Sequence, residues 1–297
     1  DSGRITAANI DDPQFAGLPM TFGLIETIEY DDGGDDIINP GTGYDIVFGG
    51  DENDTITVSD LGNLNTTTDH NIVFGDNGLI DYVRAEREPD TDGADLNPGD
   101  IDLIESTATT YAGGTDTIDS GDGQDIVIGG RMGDVIRARH GDNILIGDSG
   151  RIVAAEANTV QQFASQPMTV GLITTIQPND GGQDIITTGD DNDIILGGQG
   201  ADTIKADYAG TVGGTDLVGN GTNLVLGDNG LLDYTRADRE SVAGADADPS
   251  DLDLVMSIDE GIGGADTITT GDGSDLVIGG TAGDIITVNN GNNLVLG

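Results

Sequence analysis

Short apolar segments recur along this chain at a nine-residue interval. Each segment follows an aspartate, and the turn before that aspartate is rich in glycine and small polar residues. Ile or Val stands two residues after each such aspartate, at Ile38, Val47, Ile56, Ile118, Val127, Ile136, Ile186, Ile195, Ile204, Ile268, Val277 and Ile286. A short period that joins a turn to a strand is typical of a coil whose strands stack in parallel. The pattern therefore predicts an all-β chain built mainly as a parallel β-roll or β-solenoid.

A second pattern, with a period of two, interrupts the first. Residues 78–88, GLIDYVRAERE, alternate apolar and polar positions, and residues 101–108 do so again after a loop rich in Pro, Gly and Asp. The segment GLLDYTRADRE repeats this arrangement from residue 230. Alternation on both sides of such a loop predicts a β-hairpin or an elongated coil. We expect hairpin excursions from the roll, with the first strand reaching residue 88.

The chain also repeats over a longer distance. The string NIVFGDNGLIDY at 71–82 returns as NLVLGDNGLLDY at 223–234, and DSGRI at 148–152 repeats residues 1–5. Cutting after each apolar-Gly step gives four tandem units, residues 1–75, 76–147, 148–227 and 228–297. The first resembles the third and the second resembles the fourth, so the units form an ABAB array.

The last residues of the sequence suggest that this array continues. Each internal copy of the closing motif, as in Gly75-Asp76, is followed by Asp, and the sequence starts with Asp1. Joining Gly297 to Asp1 recreates the internal junction. We therefore expect self-association or continuation head to tail, either within a larger polypeptide or between stacked copies. A coincidental boundary is the alternative.

The aspartates of the nine-residue pattern are candidate calcium ligands. Calcium takes six to eight oxygens at about 2.3–2.6 Å, and glycine turns can point carbonyl oxygens inward because glycine tolerates positive φ. The aspartate that ends each turn adds a charged oxygen. The twelve candidates are Asp36, Asp45, Asp54, Asp116, Asp125, Asp134, Asp184, Asp193, Asp202, Asp266, Asp275 and Asp284. Turn capping by aspartate without a metal is the alternative.

Two turns make one coil of eighteen residues, so alternate aspartates should share an edge. Asp36 and Asp54 should lie on one edge, and Asp45 on the other. The same spacing pairs Asp116 with Asp134, Asp184 with Asp202, and Asp266 with Asp284. The middle aspartates Asp125, Asp193 and Asp275 should pair with an asparagine step at Asn71, Asn143, Asn223 and Asn293.

Further acidic positions are weaker candidates. Gly-Asp corners place Asp76, Asp148 and Asp228, with Asp1 as a fourth, where they could bind metal or simply shape a tight turn. The position two residues before the ladder aspartate is Glu52 or Asp191 in two copies, and either side chain could add an oxygen. Met132 and Ala282 stand at the same position and cannot. A solvated loop is the expectation for the region of Asp90, Asp92 and Asp95.

One copy of the pattern carries a family resemblance. Residues 197–205, GGQGADTIK, match Gly-Gly-x-Gly-x-Asp-x-apolar-x at every defined position. This resembles the hemolysin-type calcium-binding (RTX) repeat, and the likeness covers roughly half the chain in four blocks. The resemblance implies a parallel β-roll that holds several Ca²⁺ ions between successive turns, and it implies export from the cell.

Composition narrows the classes of partner. The 297 residues carry a formal net charge of -45, from 55 acidic and 10 basic residues. Nucleic acid and anionic membrane surfaces are therefore excluded as expected partners, since both need a basic surface. No apolar run is long enough to span a membrane, and the absence of cysteine excludes disulfides. The charge would oppose folding without cations, so we expect the metal-free chain to be largely unfolded.

Catalysis is not expected. The two histidines, His70 and His140, are replaced in the sister copies by Thr222 and Asn290, and no nucleophile-base arrangement recurs. The sequence favours a calcium-binding structural module of an extracellular filament, sheath or giant surface protein. The alternatives are a stalk module of a secreted RTX-type adhesin and the calcium-folding secretion domain of a toxin or hydrolase. An extracellular location agrees with the calcium level of about 10⁻⁴–10⁻³ M that flexible sites require.

Overall fold

The computed structural model describes residues 2–15, 17–58, 70–89, 91–107, 112–156, 167–212 and 215–297. The predicted corner at Asp1, the loop residue Asp90 and most of the insertion at 59–70 lie outside the described residues. The same holds for most of the loop at 158–168. Within the described ranges nearly all of the regular secondary structure is β-strand, in three sheets of eight strands and one small hairpin. The predicted all-β fold is confirmed.

Two of the three sheets form the roll. The sheet that lies in the middle of the molecule, called the middle sheet, consists of Ile46–Phe48, Ile72–Phe74, Ile126–Ile128, Ile144–Ile146, Ile194–Leu196, Leu224–Leu226, Leu276–Ile278 and Leu294–Leu296. The outer sheet consists of Ile37–Ile38, Thr55–Thr57, Thr117–Gly121, Val135–Ala138, Ile185–Thr187, Thr203–Lys205, Thr267–Thr269 and Ile285–Thr287. All neighbours within each of these sheets are parallel, and they pair in register, as in Ile126 opposite Ile144, except for one shift between Arg137 and Ala138. The chain alternates between the two sheets, which confirms the predicted parallel β-roll.

The excursions form a third, antiparallel sheet, called the hairpin sheet. Its strands are Gly3–Ala7, Phe22–Thr27, Gly78–Asp81, Leu103–Ser106, Gly150–Ala154, Val170–Thr175, Gly230–Asp233 and Leu254–Ser257. One hairpin precedes every four strands of the roll, and the strand order of all three sheets follows the sequence. The four repeat blocks are therefore interrupted in sequence but continuous in space. A separate small hairpin, Tyr208–Val212 with Thr215–Val218, lies within the inserted segment of the third unit.

The middle sheet explains why some strands are apolar at three consecutive positions. The central residue of a middle strand, such as Val73, packs with outer-sheet residues such as Ile56 and Ile118 in the core of the roll. Its neighbours Ile72 and Phe74 point the other way, into a second core shared with the hairpin sheet. A strand buried on both faces reads as a continuous apolar run. The structure therefore has two cores, one on each face of the middle sheet.

The long hairpin strand predicted for residues 78–88 is wrong in its second half. The strand ends at Asp81, and Arg84–Glu86 form a 3₁₀ turn. In the sister unit Arg236–Arg239 form one helical turn. Asp81 Oδ1 accepts the N–H of Val83 at 3.0 Å, and Asp102 Oδ2 accepts the N–H of Arg84 at 2.6 Å. These carboxylates take backbone donors that a neighbouring strand would otherwise use, so the chain turns here.

Candidate metal-binding ladders

A continuous ladder of aspartates runs along the edge where the outer strands begin. The backbone N–H of each aspartate donates to Oδ1 of the aspartate one coil further on, at 2.7 Å from Asp36 to Asp54 and 2.8 Å from Asp116 to Asp134. The ladder comprises Asp36, Asp54, Asp116, Asp134, Asp184, Asp202, Asp266 and Asp284. The four predicted pairs are thus brought together, and they also join across unit boundaries.

A second ladder follows the start of the middle strands and alternates Asp with Asn. Asp125 donates its N–H to Oδ1 of Asn143 at 3.0 Å, and Asn143 donates to Oδ1 of Asp193 at 3.0 Å. Its members are Asp45, Asn71, Asp125, Asn143, Asp193, Asn223, Asp275 and Asn293. The structure therefore places each middle aspartate beside the asparagine step, on the edge opposite to the all-Asp ladder.

The second carboxylate oxygens of the all-Asp ladder distinguish it from a set of turn caps. Each Oδ2 is buried and accepts no hydrogen bond from the described residues at Asp54, Asp116, Asp134, Asp184, Asp202, Asp266 and Asp284. At Asp134 this oxygen faces Gly129: a Cβ placed there would lie 2.4 Å from Oδ2 and 2.2 Å from the carbonyl oxygen of Gly147. The two oxygens converge on a space that only glycine leaves open. Oδ2 has no donor there, and the Gly147 carbonyl accepts the N–H of Gly130 at 3.1 Å. This arrangement suits a hard cation with oxygen ligands.

The electrostatics of this ladder also favour a bound cation. Burial raises the pKa of Asp54 to about 6, of Asp116 to about 7 and of Asp202 to about 9. Neighbouring carboxylates contribute to these raised pKa values, as Asp184 does for Asp202. Burial and like charge both disfavour the ionised form. A divalent cation reverses both effects, because it supplies the opposite charge that these buried oxygens lack.

The corner aspartates lie beside the ladder but use their oxygens differently. Asp76 Oδ1 accepts the N–H of Gly114 at 2.9 Å, and its Oδ2 accepts the N–H of Arg131 at 2.5 Å. Asp148 and Asp228 bind two successive turns in the same way, through Gly182 and Gln199 and through Gly264 and Thr281 respectively. Each corner therefore ties two turns together through backbone donors. A role for these three carboxylates as metal ligands stays a prediction.

The four turn positions that depart from glycine keep the backbone conformation of glycine. Gly200 in the best-matched turn has φ of 126°. The φ values at the equivalent positions are 70° at Glu52, 65° at Met132, 100° at Asp191 and 78° at Ala282. The Asp191 side chain is exposed, and its Oδ2 accepts the N–H of Gly141 at 2.9 Å. A calcium-ligand role for Asp191 stays a prediction, and its one described contact is this turn-to-turn bond.

Side chains alone do not complete a metal site. Among the described residues, no group of three or more Asp, Glu, His or Cys side chains is gathered tightly enough to hold a metal ion by itself. Carbonyl oxygens of the glycine turns, such as that of Gly147 opposite Asp134, would therefore complete the ligand set.

Asp207 is a buried acid near the ladders that the sequence pattern does not identify. Asp207 is fully buried, with φ of 60°. Its Oδ1 accepts the N–H of Gly221 at 3.0 Å, and its Oδ2 accepts Asn223 Nδ2 at 2.6 Å. Asp207 lies five residues after Asp202 and so falls outside the nine-residue period. The nine-residue period therefore could not identify Asp207 as a buried acid.

Comparison with known proteins bears on the ladders directly. A family model described as the RTX calcium-binding nonapeptide repeat matches residues 30–60, 112–131, 121–151, 180–206 and 260–295. These segments contain all twelve aspartates of the nine-residue pattern. No curated protein and no solved structure matches the chain. In the described part of the chain, no helix is both long and apolar enough to cross a membrane. The four repeat blocks of this chain therefore belong to the RTX calcium-binding nonapeptide repeat family, and they bind calcium at multiple sites in a parallel β-roll.

Proposed function

We propose that this chain is a structural module of an extracellular filament, sheath or giant surface protein, in which the calcium-binding roll continues end to end. The observation that supports this proposal most directly is the polarity of the ladders. In each ladder, the backbone N–H of a residue donates to the side chain in the next coil towards the C-terminus. The side-chain oxygen of that same residue accepts the N–H from the coil before it. The all-Asp ladder therefore ends in the N–H group of Asp284 at one end and in the carboxylate of Asp36 at the other. Such ends are complementary head to tail.

The last middle strand supports the same proposal. Leu294 and Leu296 in this strand are 57% and 55% exposed. Their counterparts in an interior coil, Leu224 and Leu226, are buried. An exposed apolar edge strand is a template for pairing with another strand, and a further coil in register would cover these residues.

A non-catalytic role and an extracellular location belong to the same proposal. The buried carboxylates of the roll are arranged in repeating ladders and corners, and His70 stacks on the ring of Tyr44 at 4.9 Å. RTX repeats bind calcium, and a site made of flexible turns fills at the calcium levels found outside cells.

The proposal is tested by the oligomeric state of the chain with and without calcium. In millimolar Ca²⁺ we expect concentration-dependent, end-to-end oligomers in sedimentation velocity and negative-stain electron microscopy. Their length should grow in steps of about 38 Å, since eight coils stack at about 4.8 Å each. EDTA should dissolve them.

A matched pair of variants distinguishes pairing of the edge strands from non-specific association. Val295→Lys places a charge in the last middle strand, where the side chain is 40% exposed, and should hold the chain as a monomer in Ca²⁺. Val242→Lys places the same charge at a residue 42% exposed outside the strands and should leave assembly unchanged. A wild-type chain that stays monomeric in Ca²⁺ at high concentration would overturn the proposal.

A further inference from the structure

The hairpin sheet ends in two edge strands that no other described strand covers. Gly3–Ala7 and Leu254–Ser257 stand at the two ends of its strand order, so each pairs on one side only among the strands described. Ile5, in the first of them, is 51% exposed, whereas its counterpart Ile152 in the interior of the sheet is fully buried. An exposed edge strand with an apolar side chain is a template for pairing with another strand.

The interior of the same sheet shows how two such strands pair. Leu103–Ser106 in the second unit lies antiparallel to Gly150–Ala154 in the third unit. Ile152 stands opposite Ile104 in this pairing. It joins a B unit to the A unit that follows it, which is the joint that a fourth unit would make with the first unit of another copy.

The residues that make this interior joint recur at the two edges. The edges carry GRI at residues 3–5 and LVMS at residues 254–257, where the interior joint has GRI and LIES. In the interior the N–H of Gly150 donates to Ser106 Oγ at 3.1 Å. A glycine and a serine stand at the corresponding positions of the edges, so this bond can form again between copies.

The backbone groups of both edge strands face outward at the residues that this joint requires. In antiparallel pairing, the N–H and C=O of a residue point to the same neighbouring strand, and the side alternates along the chain. The N–H of Ile28 bonds the carbonyl of Ser2 at 2.8 Å, so the backbone groups of Ile5, three residues on, face outward. The N–H of Ile258 bonds within its own hairpin at 3.0 Å, so those of Val255 also face outward.

An apolar cavity opens beside the first edge strand. Its volume is about 680 Å³, and it lies between the hairpin sheet and the middle sheet at the end of the second core. Phe22 and Ile25 line it from the hairpin sheet, and Ile46 and Phe48 line it from the middle sheet. A second copy that continues both sheets would close this cavity.

We propose that the edge strand Gly3–Ala7 pairs antiparallel with Leu254–Ser257 of a second copy. The interior joint sets the register, which places Arg4 opposite Met256. The pairing rests on the end-to-end assembly proposed above, and it makes the hairpin sheet continuous from copy to copy.

One position makes the joint between copies weaker than the joint inside the chain. In the interior, Arg151 donates two hydrogen bonds to Glu105, at 2.9 and 2.7 Å. The corresponding Arg4 donates to Glu26 of its own hairpin at 2.8 Å, and Met256 stands where the interior joint has Glu105. The joint between copies therefore lacks an ion pair that crosses it.

Single cysteines test the register, because the sequence contains none of its own. Arg4→Cys and Met256→Cys are prepared as separate chains and mixed in Ca²⁺ with oxidised glutathione. In the proposed register the two positions form a non-hydrogen-bonded pair with Cα atoms about 4.5 Å apart, which a disulfide can bridge. A non-reducing gel should show a covalent dimer from the mixture and little dimer from either chain alone.

Leu254→Cys provides the control for register. Residue 254 lies on the same face of the strand as Met256, but it would stand diagonally across from Arg4 at about 7–8 Å, too far for a disulfide. More dimer with Leu254→Cys than with Met256→Cys would overturn the register. Oligomers that give no covalent dimer in either mixture would overturn the pairing of the hairpin sheets and leave end-to-end assembly standing. Monomers throughout would overturn both.

A gain of affinity gives a second, independent measurement. Met256→Glu restores the carboxylate that the interior joint has, and it should lower the concentration needed for assembly about two- to five-fold in sedimentation velocity. Val242→Glu adds the same charge outside the strands, at a residue 42% exposed against 41% for Met256, and should not lower it. An equal effect of the two substitutions would overturn the placement of Arg4 opposite Met256.

Discussion

At the residue scale, the two carboxylate oxygens of a ladder aspartate have different roles. Oδ1 binds the backbone of the preceding coil, and Oδ2 faces a glycine carbonyl and accepts no hydrogen bond from the described residues, as at Asp134. Asparagine can replace only the first of these functions. In the second ladder Asn143 does so, and its Nδ2 donates to the carbonyl of Gly141 at 2.7 Å. We expect the all-Asp edge to depend on calcium more than the alternating edge does, because every second residue of the alternating ladder is an uncharged asparagine.

Backbone conformation at single turn positions leads to a stability prediction. Ala282 has φ of 78°, a conformation unfavourable for an L-residue by about 1–2 kcal/mol. Ala282→Gly should therefore raise the free energy of unfolding in saturating Ca²⁺ by about 1 kcal/mol, after the greater flexibility of unfolded glycine is subtracted. Urea unfolding measures the change.

Ala201 provides the matched control, since it lies in an equivalent turn without a positive φ. Ala201→Gly should lower the free energy of unfolding. An equal effect at both positions would contradict the assignment of strain to Ala282.

At the element scale, the strands of the roll were predictable and their packing partner was not. The nine-residue period specifies which residues pair between coils, so the ladder at Asp116 and Asp134 follows from sequence. The period contains no information on what covers the far face of Ile72 and Phe74. The triple apolar run of the middle strands was the available signal, because a strand with one solvated face needs only one buried position in two.

The hairpin strands show a different limit of prediction from sequence. Their alternation predicted strands, but Asp102 comes from a distant point in the loop to bind the N–H of Arg84, and no local pattern reports that contact. The same reason accounts for Asp207, whose burial depends on the inserted segment beside it.

Stacking of coils depends on glycines that leave no room for a side chain. Gly129→Ala would place its Cβ 2.2 Å from the carbonyl oxygen of Gly147 and 2.4 Å from Asp134 Oδ2. We expect this variant to destabilise the calcium-bound chain by about 3 kcal/mol and to lose at least one bound Ca²⁺. Thermal unfolding and equilibrium dialysis measure the two effects.

Gly34→Ala is the control for this prediction, since nothing lies within 4 Å of a Cβ at that position. It should be tolerated. Full calcium binding by Gly129→Ala would show that the space beside Gly129 is not part of a metal site.

At the scale of the whole molecule, buried acids couple folding to pH when calcium is absent. Their folded pKa values are raised, to about 6 for Asp54 and about 7 for Asp116, Asp184 and Asp266. Protonated ladders thus stabilise the fold fully below the unfolded pKa of about 4, and this stability is lost as pH rises through the folded values. In EDTA the melting temperature should fall between pH 5 and pH 8.

Saturating Ca²⁺ should abolish this fall, because the cation takes the place of the protons. Asp134→Asn removes one titrating group and should make the fall in EDTA shallower. A melting temperature in EDTA that rises over the same pH range would contradict a protonated, buried ladder.

The alignment of the inter-coil bonds gives the roll a mechanical character. Strands run across the long axis, so the hydrogen bonds between coils, such as those from Asp54 to Asp116, lie along it. Tension applied to the two ends passes through every coil in series. The force at which the chain yields is then set by its weakest coil, and we expect calcium concentration to change that force for all coils at once. We expect the chain to be stiff in calcium-rich water and to become compliant when the ion is removed.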